Sequence, residues 1–150
     1  MNEWQREAHE AVRRELWSLA GPNRVVKVIA NLGDVASRLG GYITVGRSLL
    51  GKTPEEIERD LGLVLGELAT GARIYKFTRL PAVSEYEYDL TADHPAGLAY
   101  RAPYSGERDY PAGSRTVHQW RIKNGIQIPV DPNYLDLKPG QRFPYDWLSS

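Results

Sequence analysis

The chain has 150 residues, and its 19 basic and 19 acidic side chains cancel to a formal net charge of zero. That length suits one domain, residues 1–150, able to bury a real core. The charge balance removes the simplest argument for a non-specific nucleic-acid binder, and the lack of cysteine excludes disulfides, thiol catalysis and thiolate zinc sites.

The first sixteen residues, MNEWQREAHEAVRREL, are charged and lack an apolar segment, so no secretory signal peptide is expected. No stretch approaches 18 consecutive apolar residues, so no membrane span is expected. Trp4, Ala8, Ala11, Val12, Leu16 and Leu19 make one stripe, which predicts an amphipathic helix over residues 3–19, stopped by Gly21-Pro22. Val25, Val26, Ile29, Leu32, Val35 and Leu39 carry a helical period up to Gly40-Gly41, and the reading adopted there is a second helix. The β-branched cluster at 24–29 makes a strand the competing reading. Tyr42 to Val45 fits a short strand or a helical extension.

The sharpest local signal is Gly51-Lys52-Thr53-Pro54-Glu55-Glu56. Thr53 is placed to cap a helix, Pro54 fits its first turn, and Glu56 completes a capping box. Ile57, Leu61, Val64, Leu65 and Leu68 then predict a third helix running to Gly71. Its interior glycines, Gly62 and Gly66, each cost about 1 kcal/mol relative to alanine, and their spacing lets another backbone approach.

Most of the prolines and aromatics lie at or beyond Gly71, and the pattern there changes to short strands. Strands are predicted at residues 73–79 and 85–90, followed by a loop-like stretch at 91–113 with a short strand near 98–101. A further strand covers 114–122. There Thr116, His118, Trp120 and Ile122 point to one side and Arg115, Val117, Gln119 and Arg121 to the other. Lys123-Asn124-Gly125 is a hairpin signal. Ile126, Ile128 and Val130 form the returning strand, where Pro129 indicates an edge or an end. The tail beyond Asp131 should wrap the surface and pin Phe143, Tyr145 and Trp147 into it. The expected fold class is α+β: about three N-terminal amphipathic helices (residues 1–70), then a small antiparallel sheet with long Pro/Gly/Tyr-rich loops (residues 71–150) that carries the function.

Among the histidines, His9 sits in a charged helix and His94 in a loop. His118 is the strongest candidate for acid–base chemistry, because it stands mid-strand among arginines and an imidazole titrates near neutrality. The competing assignment is a core histidine satisfied by a backbone carbonyl. No helical pair of metal-ligand spacing and no Gly-x-Ser-x-Gly elbow occurs, so neither a metal nor another cofactor is expected. Gly46 to Thr53 matches the pattern Gly-x-x-x-x-Gly-Lys-Thr literally. A phosphate loop, however, follows a buried strand of a parallel sheet, and here Thr53-Pro54 already begins a helix.

A second set is more coherent. His118, Arg115, Lys76 and Thr116 are the candidate catalytic group, and Arg79, Arg101, Tyr104 and Trp120 the candidate substrate-binding group. Together they would make a cationic, aromatic-lined cleft able to hold a phosphodiester and stack a base. Ordinary strand surface, where Arg and Tyr are common, is the plain alternative.

Leu49-Leu50-Gly51-Lys52-Thr53-Pro54-Glu55-Glu56-Ile57 resembles the lead-in helix found ahead of many bacterial polymorphic toxin domains, and the expected helices-then-sheet order is similar to C-terminal toxin modules of secretion-system effectors. Many of those are compact ribonucleases. The resemblance implies a bacterial effector acting in the cytoplasm of a target cell after delivery by a secretion system, with RNA or a nucleotide as substrate and a cognate immunity protein as partner. It transfers no active-site residue. Tyr100-Arg101-Ala102-Pro103-Tyr104-Ser105-Gly106 and Tyr110-Pro111-Ala112-Gly113-Ser114 are similar in rhythm to NAD glycohydrolase toxins, although the glycine-rich, glutamine-bearing end expected after the last strand is absent. The leading expectation is therefore a metal-independent ribonuclease. The alternatives are a NAD glycohydrolase or ADP-ribosyl-type toxin using Arg101 and Tyr104, and a non-enzymatic immunity or adaptor module.

Overall fold

The computed structural model describes residues 25–61, 63–82, 85, 100–101 and 119–149. The helix expected at residues 3–19 and the strand expected at 85–90, Glu85 apart, lie outside them. A six-stranded antiparallel sheet organises the rest. In chain order its strands are β1 (Val25–Ala30), β3 (Tyr42–Val45), β4 (Ala72–Lys76), β5 (Tyr100–Arg101), β6 (Gln119–Arg121) and β8 (Leu135–Leu137), arranged β5-β6-β3-β1-β4-β8. A two-stranded sheet joins β2 (Arg38–Leu39) to β7 (Ile128–Pro129). The α-helices among the described residues are α1 (Pro54–Leu61) and α2 (Tyr145–Ser149), and a 3-10 helix covers Gly46–Leu49.

The fold is antiparallel and mixed, as α+β implies, but strands β1 and β3 already occupy the first half of the chain. The second helix expected at 23–39 is instead β1, a loop and β2. The reason is two-sided burial. Val25 packs in one core and Val26 and Val28 in another, on opposite faces of the sheet. A strand covered on both sides loses its polar–apolar alternation, and its continuous apolar run also fits a helical period.

Face one buries Val25, Ile43, Val45, Tyr75 and Phe77 beneath Ile122, Ile128 and Val130. The Tyr75 hydroxyl accepts the Ala36 amide at 3.0 Å, and its ring lies 5.6 Å from that of Tyr134. Face two buries Val26, Val28, Ala72, Ile74 and Leu137 beneath Leu49, Ile57, Leu61, Leu68, Phe143, Trp147 and Leu148.

The turn predicted at Lys123–Gly125 is present: Ile126 N–H donates to Lys123 O at 3.1 Å, and Gly125 has φ 84°. The strands on either side of it do not pair with each other. Residues before the turn join β3, and residues after it join β2 and the end of β4, where Phe77 bridges Val130. The peptide thus leaves one sheet and enters the other, because Ile122 and Ile128 both have a place in the same core. Pro129 lies in a two-stranded ribbon, where its missing N–H costs no ladder bond, and its carbonyl accepts Thr78 N–H at 3.1 Å. The tail does more than wrap the surface: β8 extends the sheet, and Phe143 and Trp147 are buried, whereas Tyr145 is exposed.

Candidate functional site

The capping box forms as the sequence predicts. Glu56 N–H donates to Thr53 Oγ1 at 3.3 Å, and the Glu56 carboxylate accepts the Thr53 amide at 3.4 Å and hydroxyl at 3.1 Å. Those bonds, the Thr53 amide first, hold the Glu56 carboxyl below its usual range. Helix α1 ends at Leu61, however, rather than near Gly71. The buried Glu58 carboxylate accepts the Leu68 amide at 2.8 Å, and residues 65–70 fold back as turns, with Gly66 at φ 85°. Leu68 still reaches the core, but by a turn and not by helical phase.

The same region settles the Gly46–Thr53 motif. Leu50, Gly51 and Lys52 donate their amides to Arg47 O, Phe143 O and Leu49 O, so these N–H groups are spent within the protein. Lys52 is ion-paired with Asp60, and Leu49 is fully buried. A phosphate cradle needs free amides and a free lysine; this segment is a packed corner.

The residues singled out in the sequence fall into four groups. Lys76 is buried on face two, with Nζ donating to Trp147 O at 2.9 Å and lying 4.6 Å from the Trp147 ring centroid. Its ammonium anchors the C-terminal tail. Arg79 is exposed and forms a two-bond pair with Glu85, at 2.7 and 3.2 Å. That pair raises the Arg79 pKa and lowers that of Glu85. Arg101 lies on the edge strand β5 and Trp120 on β6 beside it, in the registers Arg101 opposite Gln119 and Tyr100 opposite Trp120, and β6 in turn lies beside β3. His118, Arg115, Thr116 and Tyr104, like His9 and His94, lie outside the described residues.

A different site emerges where β1 and β3 part. Their pairing holds at Val25–Val45 and Val26–Thr44, and Lys27 is next in line. Its side chain bridges the gap, with Nζ donating to Tyr42 O at 2.8 Å. Gly41 makes room, since a Cβ there would stand 3.1 Å from Lys27 Nζ on a backbone of φ 75°. Beside this gap is a cavity of about 290 Å³. Val26, Val28, Leu61, Leu63 and Val64 give it apolar walls, and Lys27, Thr44 and Glu67 line it as well. Burial lowers the Lys27 pKa from its ordinary 10.5 to about 8, against the opposing pull of the Glu67 carboxylate. Perturbed titration inside an apolar concavity is a mark of functional sites.

Other strand cations are differently engaged. Arg73 forms a cross-strand pair with Asp136, at 2.8 and 3.4 Å, donates to Gly33 O, and stacks 5.0 Å from the Tyr134 ring centroid. Among the described residues, Lys27 forms no such close ion pair; its bonded partner is a carbonyl. Lys27 is not among the residues the sequence singles out, because the helical stripe expected over 23–39 consists of Val25, Val26, Ile29, Leu32, Val35 and Leu39 and gives Lys27 no place in it. The available signal was a lone lysine within the β-branched run VVKVI.

Among the described residues no cluster of three or more His, Asp or Glu side chains is arranged to hold a metal ion, and no helix is long and apolar enough to cross a membrane. Comparison of the chain with protein-family models, curated proteins and solved structures finds no match.

Proposed function

We propose that this protein binds a small organic molecule in the cavity bordered by β1, β3 and the side chains of Leu61, Leu63, Val64 and Glu67. The observation that carries this reading is the parting of β1 from β3 at Lys27, which opens a walled space of small-ligand size instead of a filled core. Its aliphatic walls suit the body of a single-ring or branched aliphatic compound, and Lys27, Thr44 and Glu67 offer it polar contact. The test is a methyl NMR titration with benzyl alcohol, on the wild type and on Val64→Trp. Val64 is 67% exposed, so the larger side chain can lie across the cavity mouth without entering the core. Shifts confined to Val26, Val28, Leu61, Leu63 and Val64, lost in the variant at unchanged melting temperature, are expected. Shifts spread over both cores, or unaffected by Val64→Trp, refute the reading.

A second reading, a toxin-like effector acting as a metal-independent ribonuclease, draws support from the pairing of β5 with β6. This pairing makes Tyr100 and Arg101 neighbours of the strand that follows His118 in sequence. In that reading His118 is the general acid or base, Arg115 meets the phosphate, and Thr116 and Tyr104 orient the substrate; the buried Lys76 is a structural cation. A NAD-splitting enzyme would use Arg101 and Tyr104 instead. Expression in a bacterial host, with RNA integrity and NAD level followed beside His118→Ala, separates the two. Unimpaired growth with both pools intact rejects both.

A further inference from the structure

The electrostatics of the cavity narrow the kind of molecule that belongs in it. A carboxylate-bearing ligand would meet the Glu67 carboxylate, which lines the same space. A cationic ligand would meet Lys27 itself. Each would also be drawn to the opposite charge, so neither sign is singled out; a neutral compound avoids both repulsions, and among neutral groups a carbonyl has a specific use for a desolvated lysine. The ε-amine is steadied by a single backbone acceptor, Tyr42 O, and not by a carboxylate in bonding range among the described residues. It is therefore free to release its proton without breaking an ion pair. Strand β1 fixes its stem, Gly41 leaves room beside its nitrogen, and the half-buried side chain borders a cavity with apolar walls.

We propose that Lys27 is a reactive amine that forms an imine with a small neutral aldehyde or ketone bound in this cavity. The inference rests on the small-ligand reading above and names its ligand class. In the first step the neutral Lys27 Nζ attacks the carbonyl carbon; the C–N bond forms and the C=O π pair moves to oxygen. The nitrogen loses a proton and the oxygen gains one, giving a carbinolamine. In the second step that hydroxyl leaves as water, taking a further proton from solvent, while the nitrogen lone pair forms C=N. Glu67, on the cavity wall, is placed to favour the protonated imine by its charge. No oxidant or reductant takes part. A lysine titrating near 8 is neutral in roughly a quarter of molecules at pH 7.5, against about 0.1% for an ordinary lysine.

The protein is incubated with benzaldehyde and cyanoborohydride, which reduces imines to stable secondary amines, and each lysine is followed by peptide mass mapping. Lys123 and Lys138, both exposed, are internal references. Lys27 is expected to be labelled on the order of tenfold to a hundredfold faster than these. Its rate should rise with a midpoint near pH 8 and fall when benzyl alcohol occupies the cavity. Lys27→Arg should abolish the fast adduct, whereas Lys123→Arg should leave it unchanged. If benzyl alcohol binds as described but Lys27 reacts no faster than the reference lysines, the imine inference is overturned and the cavity reading survives. If benzyl alcohol gives neither local shifts nor protection, the cavity reading falls with it. Both arms use the wild-type chain, so the outcome stands even if Lys27→Arg folds poorly.

Discussion

Replacing Lys27 with methionine should change how the stability of the protein depends on pH. Below about pH 8 the amine is protonated in the folded and unfolded chains alike, and the folded state carries the whole cost of desolvating it. Between 8 and 10.5 the folded amine gives up its proton while the unfolded chain retains one. The unfolded state then binds more protons, so wild-type stability rises with pH across that window. Above 10.5 both states are neutral and the cost has vanished. The full shift from 10.5 to about 8 corresponds to at most about 3 kcal/mol. Partial exposure of the side chain and screening by solvent reduce this to about 1–2 kcal/mol. Methionine keeps the stem and removes the titration, so the wild-type-minus-variant difference isolates Lys27 from every other group that titrates. Urea unfolding at half-unit intervals from pH 7 to pH 10.5 measures that difference. The expected curve climbs by about 1–2 kcal/mol in favour of the wild type. A flat difference would mean that the amine is well hydrated, removing the physical basis of a reactive Lys27.

Two further substitutions test the frame that holds the site. Gly71 has φ 121°, and a Cβ there would run into the Leu137 carbonyl oxygen and lie 2.6 Å from Asn31 Nδ2, so Gly71→Ala must displace β8 as well as strain the backbone. A loss of roughly 3 kcal/mol or more in urea unfolding is expected, and a loss under about 0.5 kcal/mol would show that β8 yields freely. Trp147→Ala removes a buried ring that caps Lys76 and donates from Nε1 to Asn133 O at 3.0 Å, which should cost about 3–5 kcal/mol. Hydrogen exchange should then show β8 and residues 143–149 opening first; unchanged protection there would contradict an anchoring role for Lys76.

What the sequence disclosed follows from the range of the interactions involved. The Thr53–Glu56 capping box, the start of α1 at Pro54 and the Lys123–Ile126 turn are decided by neighbours within four residues, and each was legible. The end of α1 was not, because it depends on Glu58 reaching the Leu68 amide through a turn that helical periodicity conceals. The partners of the 126–130 segment were not either. A turn fixes a reversal of direction, but whether the returning chain pairs with its predecessor depends on β2, nearly ninety positions earlier. The burial of Lys76 was hidden for the same reason. In Arg73-Ile74-Tyr75-Lys76 the alternation suggests one wet face, and only the tail at Trp147, 71 residues on, makes both faces dry.

That double covering also explains why a lysine in this sheet is informative. In a sheet with one solvated face, a strand cation needs no explanation, since it extends into water at little cost. Here β1 and β4 are covered on both sides, so each cation they carry must find compensation inside the protein. Arg73 has Asp136, Gly33 O and the Tyr134 ring, and Lys76 has Trp147 O and the Trp147 ring. Burial weakens the protonation of Lys27, and Lys27 borders an open cavity. A purely structural lysine spanning the gap between β1 and β3 would gain from a close counter-ion, and Glu67 is too remote to bond while near enough to be felt. An amine left in that intermediate condition, beside space of ligand size, is better suited to reacting than to holding the strands together.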